Sequence, residues 1–299
     1  MSNAVTPSPI GVTREPEGQP RISVSQVSTL TASFAEDIRA YASAGLDGIG
    51  IWEMKLGDGP DDEAIALLRE SGLGSATAVP AVPSINPLPL LPGPDDPRER
   101  IDAILRSLHR LAAFEPAAVL CFTGPGDRDT AIRGLAEVAA EAERLGLRIA
   151  LEPFQAEGIE SWSTLGTLGH AAAAIEEIGS PAIGIQFDVW HLWNTPDLFD
   201  EIERYAPLIA GVHVSDWREP TRGWADRVLP GDGVADVPAI LGALDRAGWD
   251  GFYDIEVFSD NGTFGNAYPD SLWDVDAAEL VDRGKRQFLE CWVERRVAA

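Results

Sequence analysis

Two periodicities alternate along this chain. Short runs of β-branched and apolar residues end in polar ones, and longer segments with apolar residues at helical spacing follow them. Eight runs have the first character. They are "RISVSQV" near Arg21, "DGIGIWE" ending at Glu53, "SATAVPAV" near Val79 and "AAVLCFTG" ending near Thr123. "LRIALEPF" around Glu152, "AIGIQFDV" ending at Asp188, "IAGVHVSD" around His213 and "FYDIEVF" around Glu256 complete the set. Between them, Ile101, Ile104, Leu105, Leu108 and Leu111 mark one amphipathic helix, and Ile132, Leu135 and Val138 mark another. Asp236 is placed to cap a helix through "VPAILGALDRAG" that Gly248 would stop. A last helix begins near Asp276 and carries Leu280, Val281, Phe288 and Trp292.

Strand and helix in alternation predict parallel strands joined by helical crossovers, and eight such units predict a closed α/β structure, the (β/α)8 TIM barrel. A doubly wound open sheet is the competitor, and it usually carries a Gly-rich phosphate turn after its first strand. Here the first strand runs into "STLTASF", and the glycines of "GLGSATAVP" lack the GxGxxG spacing. The expected organisation is one barrel domain over residues 21–299 behind a flexible tail at 1–20. That tail is rich in Pro, Ser and Thr and has no apolar block of the kind a secretory signal needs.

Composition narrows the function. A net charge of −25 repels phosphate backbones, and with no Lys/Arg run to make a local basic groove, no nucleic-acid partner is expected. No apolar run approaches the roughly 20 residues of a membrane span. Cys121 and Cys291 are too few for a disulfide framework and read as free thiols in a reducing, cytoplasmic setting.

In a barrel, chemistry gathers at the C-terminal ends of the strands. Strands five to eight end on Glu152, Asp188, His213 and Glu256. Alone, each reads equally well as a loop anchor, a salt-bridge partner or a hydrogen-bonded core group. Together they place three carboxylates and an imidazole on one rim. Desolvation and mutual repulsion would make that costly unless a cation joined them. Three oxygens and one nitrogen suit Mn²⁺, the expected ion, with Mg²⁺, Co²⁺ or Zn²⁺ as alternatives. His191, three residues past Asp188, is placed to contact a substrate, a surface loop histidine being the plainer alternative. Trp52, Trp162, Trp190, Trp193, Trp217 and Trp224 fall at strand ends or in the loops after them. Core packing accounts for some. Trp52, Trp190 and Trp217 are taken as substrate-binding, because sugar C–H faces and aromatic aglycones both stack on indole.

"LEPF", "FDVWH", "GVHVSD" and "DIEVF", in that order, resemble the motifs of the xylose isomerase-like barrel superfamily, over about residues 21–297. Within it they resemble the sugar phosphate isomerase/epimerase branch, which includes ketose 3-epimerases, hydroxypyruvate isomerase and inosose dehydratase. The resemblance implies one divalent metal held by Glu152, Asp188, His213 and Glu256, with Glu152 and Glu256 as the pair of catalytic bases. His191 matches the family's D-x-x-H histidine, a substrate contact. Arg227 matches an arginine ahead of a P-G-x-G turn, here Pro230, Gly231 and Gly233, and would hold a substrate oxygen. Glu53 matches a strand-two acid. The chain departs from the pattern at Ser215, where many members have lysine, and in a longer, more aromatic loop "WREPTRGWADR".

A metal chelating a carbonyl and the adjacent hydroxyl acidifies the C–H between them and stabilises an enediolate, and two flanking carboxylates can move the proton. The expected activity is that of a sugar isomerase or epimerase acting on a small sugar, polyol or glycoside, with homo-oligomerisation left open. A lyase of the same family, either an inosose-type dehydratase or a C-glycoside-cleaving enzyme, is the alternative. A non-enzymatic sugar-binding barrel would keep the tryptophans without needing the paired acids. Abasic-site endonucleases share the fold but need more metal-binding histidines than His109, His170, His191 and His213.

Overall fold

A computed structural model describes residues 19–88, 93–155 and 162–295. The expected tail therefore lies outside the described residues except for its last two positions. From the N-terminus the elements are β1 (Arg21–Ser25), α1 (Phe34–Ser43), β2 (Gly48–Gly50), α2 (Asp62–Ser71), β3 (Gly74–Ser75) and β4 (Thr77–Ala78). Next come α3 (Pro97–Leu111), β5 (Ala118–Cys121), α4 (Arg128–Leu145), β6 (Ile149–Leu151), α5 (Leu168–Ile178), β7 (Ile183–Asp188) and the short α6 (Val189–Leu192). The chain finishes with α7 (Leu198–Tyr205), β8 (Ile209–Val214), β9 (Asp216–Trp217), β10 (Arg227–Val228), α8 (Val237–Arg246), β11 (Phe252–Ile255) and α9 (Ala277–Glu294).

The main sheet is parallel, in the order β3-β2-β1-β11-β8-β7-β6-β5-β4. Its two ends, β3 and β4, are halves of a single stave interrupted at Ala76. That stave bonds to β2 on one side and β5 on the other. The ladder continues past the break, with Val79 N donating to Ile51 O and Ile51 N to Thr77 O. Eight staves thus close the barrel, and each of the eight expected runs supplies one. No helix among the described residues is long and apolar enough to cross a membrane.

Local signals act as read from the sequence. Asp236 accepts from Ala239 N to start α8, Gly248 takes a left-handed φ of 87° just beyond its end, and Asp276 caps α9. The α3 stripe Ile101, Ile104, Leu108 and Leu111 is buried against the barrel. Cys121 and Cys291 are buried free thiols. Strand limits differ from expectation in one useful way. β2 stops at Gly50, so Trp52 and Glu53 belong to the turn that follows it.

Candidate active site

Asp188 closes β7 and His213 lies within β8, whereas Glu152 and Glu256 stand one residue beyond β6 and β11. A register shift at Ile185–Gln186 brings Asp188 level with His213, which is level in turn with Asp254 on β11. His213 Nδ1 is 3.2 Å from Glu256 Oε2 and 3.9 Å from Glu152 Oε1. One donor atom each from Asp188, His213 and Glu256 lie within 4.8 Å of one another, and so do atoms of Glu152, Asp188 and His191. All five side chains are buried.

Arg227 lies across this cluster. Its Nη1 donates to Asp188 Oδ2 at 2.9 Å and to Glu256 Oε2 at 3.2 Å, and its Nη2 is 3.4 Å from His191 Nε2. The loop that presents it is built on one carboxylate. Asp216 accepts from Gly231 N and Gly233 N through Oδ2, and from Trp217 N and Ala235 N through Oδ1. A Cβ on Gly233 would sit 2.3 Å from Trp217 O, so the P-G-x-G turn needs glycine there to wrap this closely. The β9–β10 hairpin then sets Arg227 opposite Trp217.

Burial raises the Glu152 carboxyl well above its ordinary range, and the charge of Asp188 adds to the rise. Asp188 is also raised by burial, with Arg227 opposing. Burial pushes Glu256 up too, but His213 and Arg227 outweigh it and hold that carboxyl below its ordinary value. For His213, burial disfavours the charge, yet Glu256 and the other acids lift it to about 10. His191 is kept well below its usual value by burial and by Arg227.

The donors fit a divalent cation. Glu152 Oε1 and both ring nitrogens of His213 are buried without an aligned hydrogen-bond partner. Leaving such atoms unmet costs about 1–3 kcal/mol each, and a cation takes up the lone pairs of an O/O/O/N set. Binding it would displace the His213 proton, as ligation of imidazole requires.

Above the cluster is a cavity of about 60 Å³. One water takes up roughly 10–15 Å³ on this scale, so the space suits a ligand about the size of one small ring. Of the residues expected to meet substrate, His191, Arg227 and Trp52 line it together with Glu152 and Glu256. Trp190 and Trp217 do not. They stack on each other with centroids 4.7 Å apart, and Trp190 supports Arg227 at 4.6 Å and His191 at 5.2 Å. Glu53 is also away from the cavity. Its Oε2 accepts from Ala81 N at 2.8 Å and its Oε1 is 3.5 Å from Arg110 Nη1, which ties the loop after the third stave to α3.

A family model described as the xylose isomerase-like TIM barrel matches residues 38–284. The chain belongs to that family. Among relatives of this xylose isomerase-like barrel, a ketose 3-epimerase of Arthrobacter globiformis is 32% identical over 125 residues, covering 41% of this chain and 39% of that protein. The match thus spans less than half the length of the relative. Protein SMc04130 of Sinorhizobium meliloti 1021 superposes with a TM-score of 0.79 at 24% identity, over 93% of this chain and 99% of that one. The IolI protein, in a structure with a bound zinc atom, gives 0.76 at 18% identity, over 92% and 99%.

Sequence reasoning missed the buried acid behind His213 in this xylose isomerase-like barrel. Asp254 is 1% exposed, its Oδ1 accepts from Ser23 Oγ at 2.8 Å, and its Oδ2 faces His213 Nε2 at 3.8 Å. Burial raises its carboxyl to about 7. Gly50 makes room for it, since a Cβ there would lie 2.2 Å from Asp254 Oδ2. The signal was present, because Asp254 and Glu256 are two residues apart on one strand and so share its inward face. A carboxylate behind a ligating imidazole orients the ring. Asp254→Ala is expected to weaken Mn²⁺ binding by roughly 10–100-fold in calorimetric titration of the metal-free protein. Unchanged affinity would leave Asp254 without that role.

Proposed function

We propose that this protein is a divalent-metal-dependent isomerase or epimerase that moves a proton on a sugar-class α-hydroxyketone. The reading is carried by the two buried carboxylates, Glu152 and Glu256, which reach one cation-sized cluster from the ends of the fifth and eighth staves, with His213 Nδ1 within 3.9 Å of both. A divalent cation bound by Glu152, Asp188, His213 and Glu256 supplies Lewis-acid polarisation of the carbonyl and its neighbouring hydroxyl. The chain does the rest. Glu152 and Glu256 approach the reacting carbon from two sides, one removing a proton and the other returning one. Return to the same carbon on the opposite face gives an epimer, and return to the adjacent carbon gives an isomer. His191, kept neutral by its surroundings, and Arg227 hold the substrate oxygens, and the aromatic wall keeps water from the carbanion.

The ketose 3-epimerase relative supports this reaction class, and the zinc of the IolI structure supports a divalent ion. The test is deuterium uptake from D2O into a panel of α-hydroxyketones, both free ketoses and aryl-substituted ones, by the Mn²⁺-loaded protein, read by mass spectrometry. Uptake that stops on chelation is expected. No uptake across the panel would overturn the proposal, and release of an enone or free aglycone in its place would assign a lyase.

A further inference from the structure

Among the described residues the cavity has a polar floor and little else that can hydrogen-bond. Among the described residues its polar side chains are Glu152, His191, Arg227 and Glu256, all at the cation cluster. The other lining side chains are hydrocarbon or aromatic, among them Val79, Leu88, Leu120, Phe122, Phe154 and Phe258. Several of their backbone groups are already engaged. Val79 N donates to Ile51 O, Phe122 N to Pro83 O and Phe154 N to Leu165 O, while Phe258 O accepts from Arg227 N. The indole N–H of Trp52 is taken by Ser25 Oγ at 2.8 Å. Beyond the floor, side chains of the described wall can offer at most the indole N–H groups of Trp162 and Trp224.

A free ketose carries hydroxyls along its whole length. With the reacting carbonyl and its neighbour at the floor, the remaining hydroxyls would face Leu120, Phe122 and Phe258, and the described wall has at most two indole N–H groups to replace their bonds to water. An aryl or otherwise deoxygenated body meets those same walls favourably, edge and face against the rings. Taking the reading of the polar floor given above, we infer that the substrate is a compact α-hydroxyketone whose body away from the reacting end is apolar or aromatic, rather than a fully hydroxylated free sugar. Trp224 belongs to this recognition. It packs against Trp162 at 5.4 Å and Phe258 at 5.5 Å and closes one side of the cavity.

The test compares two open-chain probes with the same –CO–CH2OH end, 2-hydroxyacetophenone and erythrulose, on the full chain loaded with Mn²⁺. Calorimetric titration gives their affinities, and deuterium uptake is followed in parallel. One hydroxyl placed in an apolar pocket changes discrimination by up to about a hundredfold, so the phenyl ketone is expected to bind at least about tenfold more tightly. Trp224→Ala, a partly exposed position, is expected to erase most of that preference. Erythrulose binding as well as the phenyl ketone, or better, overturns the inference whatever the exchange result, as does failure of the phenyl ketone to bind. If the phenyl ketone is preferred but neither probe takes up deuterium, the apolar-body inference stands and the proposed reaction fails.

Discussion

Glu152→Gln and Glu256→Gln are each expected to abolish net epimerisation, lowering its rate by roughly 10²–10⁴-fold. Glutamine keeps the shape of the side chain and an oxygen for the cation, but it cannot take a proton. The two variants should not be identical. With one base on each face of the reacting carbon, losing one base leaves the other able to remove and return a proton on its own side. Each variant should therefore still exchange deuterium into one substrate epimer and not into the other, with opposite choices in the two variants. The measurement is uptake into each purified epimer at saturating Mn²⁺, with metal affinity checked by calorimetry. Full exchange of both epimers by either variant would remove that carboxylate from the chemistry.

The largest effect on stability is expected at Lys55. Its Nζ is 2.7 Å from Asp37 Oδ2, and the two side chains are 6% and 0% exposed. Burial raises the Asp37 carboxyl and lowers the Lys55 ammonium, so each ion is held against its own desolvation by the other. Gln26 Nε2 and Thr29 Oγ1 also donate to Asp37, and Gln26 Oε1 accepts from Trp52 N, so this network fixes the entry to a cavity-lining tryptophan. Lys55→Met leaves the carboxylate buried without its counter-charge and is expected to cost about 3–5 kcal/mol in urea unfolding. Asp37→Leu combined with Lys55→Met should recover most of that loss, because replacing a buried pair by apolar groups of similar volume is often neutral. A single-variant loss of under about 1 kcal/mol would show that water reaches Asp37.

The sequence by itself determined the eight strand–helix units, the helix caps and the four strand-end residues. Apolar periodicity and capping are local, and they read out as element type and as the face a side chain takes. It also contained Asp254, two residues from Glu256, although a lone acid in an apolar strand does not announce a neighbour. The remaining site features came from tertiary structure. Glu53 and Trp190 follow strand ends, yet the turn after β2 aims Glu53 at the backbone of Ala81, and the stack with Trp217 puts Trp190 beneath the floor. Phe122, Phe154 and Phe258 became cavity wall, and Arg227 came to rest on Asp188 and Glu256. Those placements depend on the inter-strand register and on loops folded around Asp216, which join residues far apart in sequence. Which side chains finally share a floor is decided by barrel closure, which pairs the eighth stave with the first and leaves Glu152 and Glu256, from the fifth and eighth, both within 3.9 Å of His213.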